Sequence, residues 1–304
     1  MSTRAHSTDF TIVTAADAGY FSLLQGLLTS LMPLGKVPIC VLDLGMLPSQ
    51  LRDLHARGIE TPAPGWDITV PSTVRSRHGK KVRRPDSFKA FTAQPFLPKY
   101  AEGDILFWID ADAWLQNLDI VDLYLSEARR GRLAIALEVD RCYGAPYWRL
   151  RSHVPDFVRT FGLKVGLKLA RTMTANVGVL AMKRDAPHWK LWQDATTYAF
   201  RKFAHQRSQQ MAMQHVIYIS GAPTAFLPAL GNWQTWEATP LFDEATRLLC
   251  EPQPPYTPIG IIHNAQEDKE ALFNVRTSAG GTITATMRYE AWSATSDQPI
   301  RVPA

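Results

Sequence analysis

Apolar positions along the chain fall into two rhythms that alternate. Residues 9 to 14, "DFTIVT", form a short apolar run that predicts a strand. The segment "AGYFSLLQGLLTSLMP" follows, with Tyr20, Leu23, Leu24, Leu27, Leu28 and Leu31 at helical spacing, and Pro33 and Gly35 stop it. "VPICVLDL" reads as a second strand, and its unbroken apolar run suits a sheet covered on both faces. A helical pattern from about Ser49 to Arg57 closes at Gly58, and "WDITV" predicts a third strand. "DILFWID", "LAIALEV" and "NVGVLAM" read as strands. "IVDLYLSEARR", "HWKLWQDATTYAFRKF" and "SQQMAMQHVIYI" read as helices, "GIIHN" as a late strand, and residues 275 to 304 show no clear pattern. Strand and helix alternate, which predicts an α/β fold: a mixed, mostly parallel central sheet with helices on both faces. The proline-rich "CEPQPPYTP" lies too near the C-terminus to divide two domains, no internal repeat is visible, and one domain is expected.

Composition changes this picture little. The 304 residues are 46% hydrophobic and 20% charged, ordinary for a globular protein. The formal net charge of +5 favours an anionic ligand without demanding nucleic acid, and no zinc-finger or RNP-type signature is present. Three widely spaced cysteines, Cys40, Cys142 and Cys250, indicate neither a disulfide framework nor a thiolate zinc site. "MSTRAHSTDF" lacks the apolar core of a signal peptide, and no apolar run reaches the roughly 18 residues that span a bilayer. A soluble, cytoplasmic protein in a reducing compartment is the expectation. Two segments expected to be loops stand out. Val74 to Arg84 packs six lysines and arginines into eleven residues, either a solvated loop or a dock for an anionic substrate. "RCYGAPYWRLRSH" mixes Tyr143, Tyr147 and Trp148 with arginines, either packing on the fold or offering a stacking platform to an acceptor.

Candidate chemistry begins at "DILFWIDADAWLQN". An apolar strand runs up to two aspartates, and carboxylates are costly to bury without a cationic partner. Ligands of open α/β sheets sit beyond the carboxyl ends of the strands, where Asp110 and Asp112 fall. Two hard oxygen donors this close suit Mg²⁺ or Mn²⁺, and the bland alternative is a pair of exposed loop aspartates, one capping the next helix. "IIHNAQEDK" delivers His263 at the end of another strand, with Lys269 six residues on: an imidazole for a metal and an ammonium for phosphate oxygens.

"FWIDADAWL", "TANVGVLAM" and "IIHNAQEDK", in that order, resemble the three landmarks of family 8 glycosyltransferases, the glycogenin-like and galactosyltransferase-like enzymes. "IVTAADAGYFSLLQGLLTSL" is similar to their first strand, nucleotide-contacting turn and first helix, and "SFKAFTAQPFLP" to the segment that carries a basic donor-binding residue. The resemblance covers about residues 10 to 274 and implies a GT-A fold, a nucleotide sugar (typically a UDP-sugar) as donor, and Mn²⁺ or Mg²⁺ as cofactor. On that pattern residues 9–140 form a nucleotide-binding half, 141–274 a sugar and acceptor half, and 275–304 an extension. Asp110, Asp112 and His263 would hold the metal. Thr14, Ala15, Asp17 and Tyr20 would surround base and ribose, with Ala111 beside them, and Lys89 and Lys269 would attend the diphosphate or sugar. Asn176 would face the donor sugar and Gln210 would sit beneath its anomeric carbon. Gln209 stands where the family usually has aspartate, Gln214 where it has asparagine, and Gln266, Glu270 and Ala271 depart from the pattern after His263.

The implied chemistry is consistent on its own terms. Breaking a sugar–phosphate bond leaves a diphosphate whose growing charge a divalent ion and the two lysines would stabilise, each such contact being worth ~10²–10³ in rate. Gln210 is a poor nucleophile, which favours front-face attack by the acceptor and retention. The acceptor is not readable. Two rivals stand beside this reading: a HAD-type phosphohydrolase, which also places D-x-D after an apolar strand, and a non-catalytic nucleotide-sugar-binding protein, which Gln209 leaves open. Neither a P-loop nor a G-x-G-x-x-G fingerprint occurs.

Overall fold

The computed structural model describes residues 9–76, 80–144 and 146–293, with side chains throughout except at 146–153. β1 (Phe10–Ala16) leads into α1 (Phe21–Leu31), and β2 (Ile39–Asp43) into α2 (Pro48–Ala56). A hairpin of β3 (Thr73–Arg75) and β4 (Lys81–Arg83) and the short α3 (Lys89–Ala93) precede β5 (Ile105–Ile109). Then come β6 (Ala113–Leu115), α4 (Asp119–Arg129), β7 (Leu133–Leu137), α5 (Pro146–Leu169), β8 (Ala175–Lys183), α6 (His188–Lys202), α7 (Ser208–Tyr218) and β9 (Thr224–Leu227). The C-terminal part carries β10 (Trp233–Gln234), β11 (Leu241–Asp243), β12 (Leu248–Cys250), β13 (Ile261–His263), β14 (Phe273–Thr277) and β15 (Thr282–Ala285).

Six strands form the main sheet in the order β2-β1-β5-β8-β7-β9. β8 runs antiparallel to both its neighbours, and the other pairs are parallel. The continuous apolar run of β5 has a direct cause in this arrangement. A period of two sends Ile105, Phe107 and Ile109 to one face, against Leu27 and Leu31 of α1 and Val121, Tyr124 and Leu125 of α4. Leu106 and Trp108 go to the other, against Trp189, Trp192, Met213 and Val216 of α6 and α7. Both faces are covered, so no position in the strand is left for a polar residue.

Two smaller sheets, β10-β13-β6 and β12-β11-β14-β15, share a separate core that includes Trp114, Trp233, Phe242, Leu249, Ile262 and Val275. The chain leaves the main sheet at Ile109 and enters the three-stranded sheet at Ala113. Asp110, Ala111 and Asp112 are therefore the hinge between two sheets rather than the start of an ordinary surface loop.

Several sequence-based expectations need correction. "WDITV" is not a strand: Ile68 and Val70 pack instead with Val74, Phe88 and Phe200 in a small cluster of their own. The basic segment after Thr73 is a hairpin, with Val74 opposite Val82, and residues 77–79 lie outside the described residues. "RCYGAPYWRLRSH" enters helix α5 at Pro146 rather than remaining a loop. Tyr143 packs edge-on against Trp233 at 5.2 Å and accepts a hydrogen bond from the Gln234 N–H at 3.1 Å, so it belongs to the fold; the side chains of Tyr147 and Trp148 lie outside the described residues. The patternless tail contains β14 and β15, which complete the four-stranded sheet, while residues 294–304 lie outside the described set. Cys40, Cys142 and Cys250 are free thiols. Among the described residues no helix is long and apolar enough to cross a membrane.

Candidate active site

The hinge is held from both sides. The Asp110 N–H donates to the Gly178 carbonyl of β8 at 2.8 Å, and the Asp112 carbonyl accepts from the Asn264 N–H at 2.9 Å. β13 runs antiparallel to β6 with Ile262 opposite Trp114 and His263 opposite Ala113, so the imidazole emerges beside the two aspartates. Its Nε2 lies 3.3 Å from Oδ1 of Asp112 and 3.6 Å from Oδ2 of Asp110. One donor atom from each of the three residues falls within 4.8 Å of the others.

A chain of amides sets which ring nitrogen faces the carboxylates. The Gly178 N–H donates to Oδ1 of Asn176 at 2.8 Å, so that atom is an acceptor. Asn232 Nδ2 donates to the same oxygen at 2.9 Å, which turns the Asn232 Oδ1 toward His263 Nδ1, 2.8 Å away. The neutral ring then carries its proton on Nδ1 and presents the Nε2 lone pair to the acidic pair, the tautomer a metal-ligating histidine needs. Gly178 is required here: a Cβ at this position would collide with the His263 ring, Asp110 Oδ2 and Asn176 Oδ1.

Lys269 curls back over the site. Its ammonium donates to Asp112 Oδ2 at 2.6 Å and to the Asn264 carbonyl at 2.7 Å, and lies 5.8 Å from the centre of the Tyr20 ring. Burial and the neighbouring Asp112 push the Asp110 carboxyl above the usual carboxylate range, against the pull of His263 and the Trp108 indole N–H, which donates to Asp110 Oδ1 at 2.7 Å. For Asp112 burial acts the same way but loses: His263 and Lys269 hold it well below that range. Burial lowers the His263 pKa, and the two aspartates outweigh it, so the net shift is upward. The cluster is thus an acidic site that attracts and retains positive charge.

Two carboxylates and an oriented imidazole are a donor set for a divalent cation such as Mn²⁺ or Mg²⁺, and the geometry of this chain fits one. The site opens on a cleft of about 370 Å³. Ala15, Asp17 and Tyr20 line it from the β1–α1 turn, where Asp17 Oδ1 accepts from the Gly19 and Tyr20 N–H groups at 3.0 Å each. Ala111 and Lys269 line it beside the acidic pair, and Asn176, Gln209 and Gln210 line it as well. Thr14 is fully buried in β1 and its hydroxyl has no partner among the described residues. Lys89 is not brought to the cleft: its ammonium sits 3.9 Å from Asp86 and 5.9 Å from the Trp66 ring centre, while Ser87, Phe88 and Ala90 around it do line the cleft.

Sequence reasoning missed four groups that shape the site: Glu138, Asn232, Trp108 and Gly178. Glu138 follows the last residue of β7, and its Oε1 accepts from Asn176 Nδ2 at 2.9 Å and Gln210 Nε2 at 2.8 Å. The same rule that singled out Asp110, an acid at the carboxyl end of a strand, would have found it.

No protein-family model matches the chain, and no curated protein matches it. Solved structures do. The chain is similar to the galactosyltransferase LgtC, crystallised in complex with donor and acceptor sugar analogues, at 16% identity and TM-score 0.54 over 84% of this chain and 87% of that one. An active-site mutant of LgtC matches with TM-score 0.53, at 16% identity over the same shares, 84% and 87%. The apo bifunctional glycosyltransferase WbbM matches at 12% identity and TM-score 0.51, over 88% of this chain and 47% of that one. The fold is therefore that of the GT-A glycosyltransferases. The phosphohydrolase alternative carries its aspartates on the first strand of its core, whereas here the pair follows β5, which comes after β1 and β2 of the same sheet in chain order.

Proposed function

We propose that the chain is a divalent-metal-dependent glycosyltransferase of the family 8 type, which moves a hexose from a nucleotide sugar, a UDP-sugar, to an acceptor with retention of configuration. The observation that carries the reading is the meeting of Asp110, Asp112 and the Nε2 of His263 at the mouth of one cleft, at the carboxyl end of β5. Asp110, Asp112 and His263 would hold Mn²⁺ or Mg²⁺, which supplies Lewis-acid stabilisation of the departing diphosphate. Lys269, a point charge already at the site, would leave Asp112 for a phosphate oxygen. Ala15, Asp17 and Tyr20 would receive base and ribose. Asn176, Gln209 and Gln210 would face the sugar, and with an amide at 209 the acidic contact of the family is replaced by a neutral one. An amide is a poor nucleophile, so attack from the front face by the acceptor is the favoured course.

A thermal-shift panel of nucleotide sugars with and without Mn²⁺ tests the reading, because a true ligand stabilises by mass action. At least one UDP-sugar should raise the Tm only when metal is present, and product NMR should show the donor's anomeric configuration retained. A panel without any metal-dependent shift contradicts the reading, an inverted product contradicts the stereochemical part, and a tight UDP-sugar binder that never turns over is a binding protein.

A further inference from the structure

We infer that Glu138 is a positioning residue for Gln210: its carboxylate fixes the Gln210 amide so that the carbonyl oxygen is left for the ligand in the cleft. This rests on the reading of the cleft as a sugar-donor site. Glu138 is 9% exposed, and its Oε1 accepts from Gln210 Nε2 at 2.8 Å. The same Gln210 nitrogen lies 3.2 Å from the Ala175 carbonyl. A carboxylate and a backbone carbonyl only accept, so both amide hydrogens of Gln210 are committed to the protein. Turning the amide over would set Oε1 against two acceptor oxygens in a buried place, a repulsive contact that fixes the amide as it stands. Oε1 has no hydrogen-bond partner among the described residues, and Gln210 lines the cleft. It is an acceptor for a sugar hydroxyl, or the negative end of a fixed dipole beside a carbon that gains positive charge.

Glu138 also reaches the other end of the site. Its Oε1 takes the Asn176 Nδ2 hydrogen at 2.9 Å, Asn176 Oδ1 takes that of Asn232, and Asn232 holds His263 Nδ1. One oxygen atom thereby joins the sugar-side amides of α7 and β8 to the metal-side imidazole. What this role requires of residue 138 is an acceptor at the right reach, not a charge at the reacting atoms.

Three substitutions separate these. Glu138→Gln keeps an acceptor oxygen at the same reach and is expected to retain kcat within about fivefold, the difference between a charged and a neutral acceptor. Glu138→Asp keeps the charge but retracts it by one methylene, and Glu138→Leu keeps only the bulk. Each of these is expected to lower kcat by ~10², as displaced catalytic hydrogen-bonding groups do, with the donor KM little changed. Aspartate more active than glutamine, or leucine with the parental kcat, overturns the proposal. The second readout needs no turnover. The side-chain NH₂ resonances of Gln210, assigned by their loss in Gln210→Met, should be protected from solvent exchange in the parent and in Glu138→Gln and unprotected in Glu138→Asp. Unprotected Gln210 hydrogens in the parent overturn the proposal. Protected hydrogens in a chain that turns over no nucleotide sugar uphold the positioning and reject the proposed reaction.

Discussion

Ala113 and His263 lie directly opposite each other across the β6–β13 pair, and this register brings an imidazole to the aspartates. Shifting it by one residue would send the histidine to the other face of the small sheet. The hinge Asp110–Asp112 supplies the carboxylates because the chain changes sheets there, and β13 supplies the ring because it pairs with the strand that the hinge begins.

Asp112 meets both nitrogen groups of the site, Nε2 of His263 at 3.3 Å and the Lys269 ammonium at 2.6 Å. Asp112→Asn should abolish the Mn²⁺-dependent part of the thermal shift and lower any transfer rate by ~10²–10³ or more, as the loss of one electrostatic contact does elsewhere. Differential scanning fluorimetry with and without metal checks the first part. A parental metal response in the variant removes Asp112 from the ligand set.

Gly178 gives a test that touches no donor atom. Its missing side chain leaves the space where His263, Asp110 and Asn176 converge. Gly178→Ala should weaken Mn²⁺ by at least about tenfold, the lower end of what disturbing outer-shell geometry costs, while the far-UV spectrum stays parental. Unchanged metal affinity by calorimetry would mean the three groups are not held as described.

Asn232 touches the proposed metal site through Nδ1 of His263. Asn232→Leu removes that acceptor and frees the ring to take the wrong tautomer, so Mn²⁺ affinity should fall by ~10–100-fold. Asn232→Asp, which still accepts, should retain most of it. Equal losses in the two variants would point to packing rather than to tautomer control.

The strands were legible where both faces of the sheet are covered, since Ile105 to Ile109 could hardly be anything else. The acidic pair and His263 were legible as strand-end residues, and their order along the chain carried the family resemblance. Their meeting was implied only by that resemblance, because it depends on a long-range register between two three-residue strands that no local pattern encodes. Helix α5 was hidden by Pro155 in its interior and by Gly162, whose φ of +78° interrupts it. Asn232 was invisible because a buried amide between glycine and tryptophan has no periodic signature. Lys89 could be placed in its segment but not its ammonium, which lies 3.9 Å from Asp86 and 5.9 Å from the Trp66 ring centre.

On the proposed reading, protons and metal compete for this site. Asp110, pushed up to about 7 from 3.8, and His263, also raised, bind protons more firmly in the fold than in the unfolded chain. Their contribution to stability is therefore complete in acid, below about pH 4 for Asp110, and lost as pH rises through neutrality. Asp112, held low, works in reverse and loses its contribution only in strong acid. Binding Mn²⁺ must displace the protons of Asp110 and His263, so affinity should climb between about pH 5 and 8 with proton release, and metal should restore the stability lost there. Calorimetry in buffers of different ionisation enthalpy measures that release; affinity independent of pH would contradict the assignment.

The most direct measurement is pulsed electron paramagnetic resonance on Mn²⁺ bound to the protein with UDP. Modulation from one directly coordinated histidine nitrogen should appear in the parent chain and vanish in His263→Ala. Bound Mn²⁺ with no nitrogen coupling, or a coupling that survives the substitution, would contradict the account.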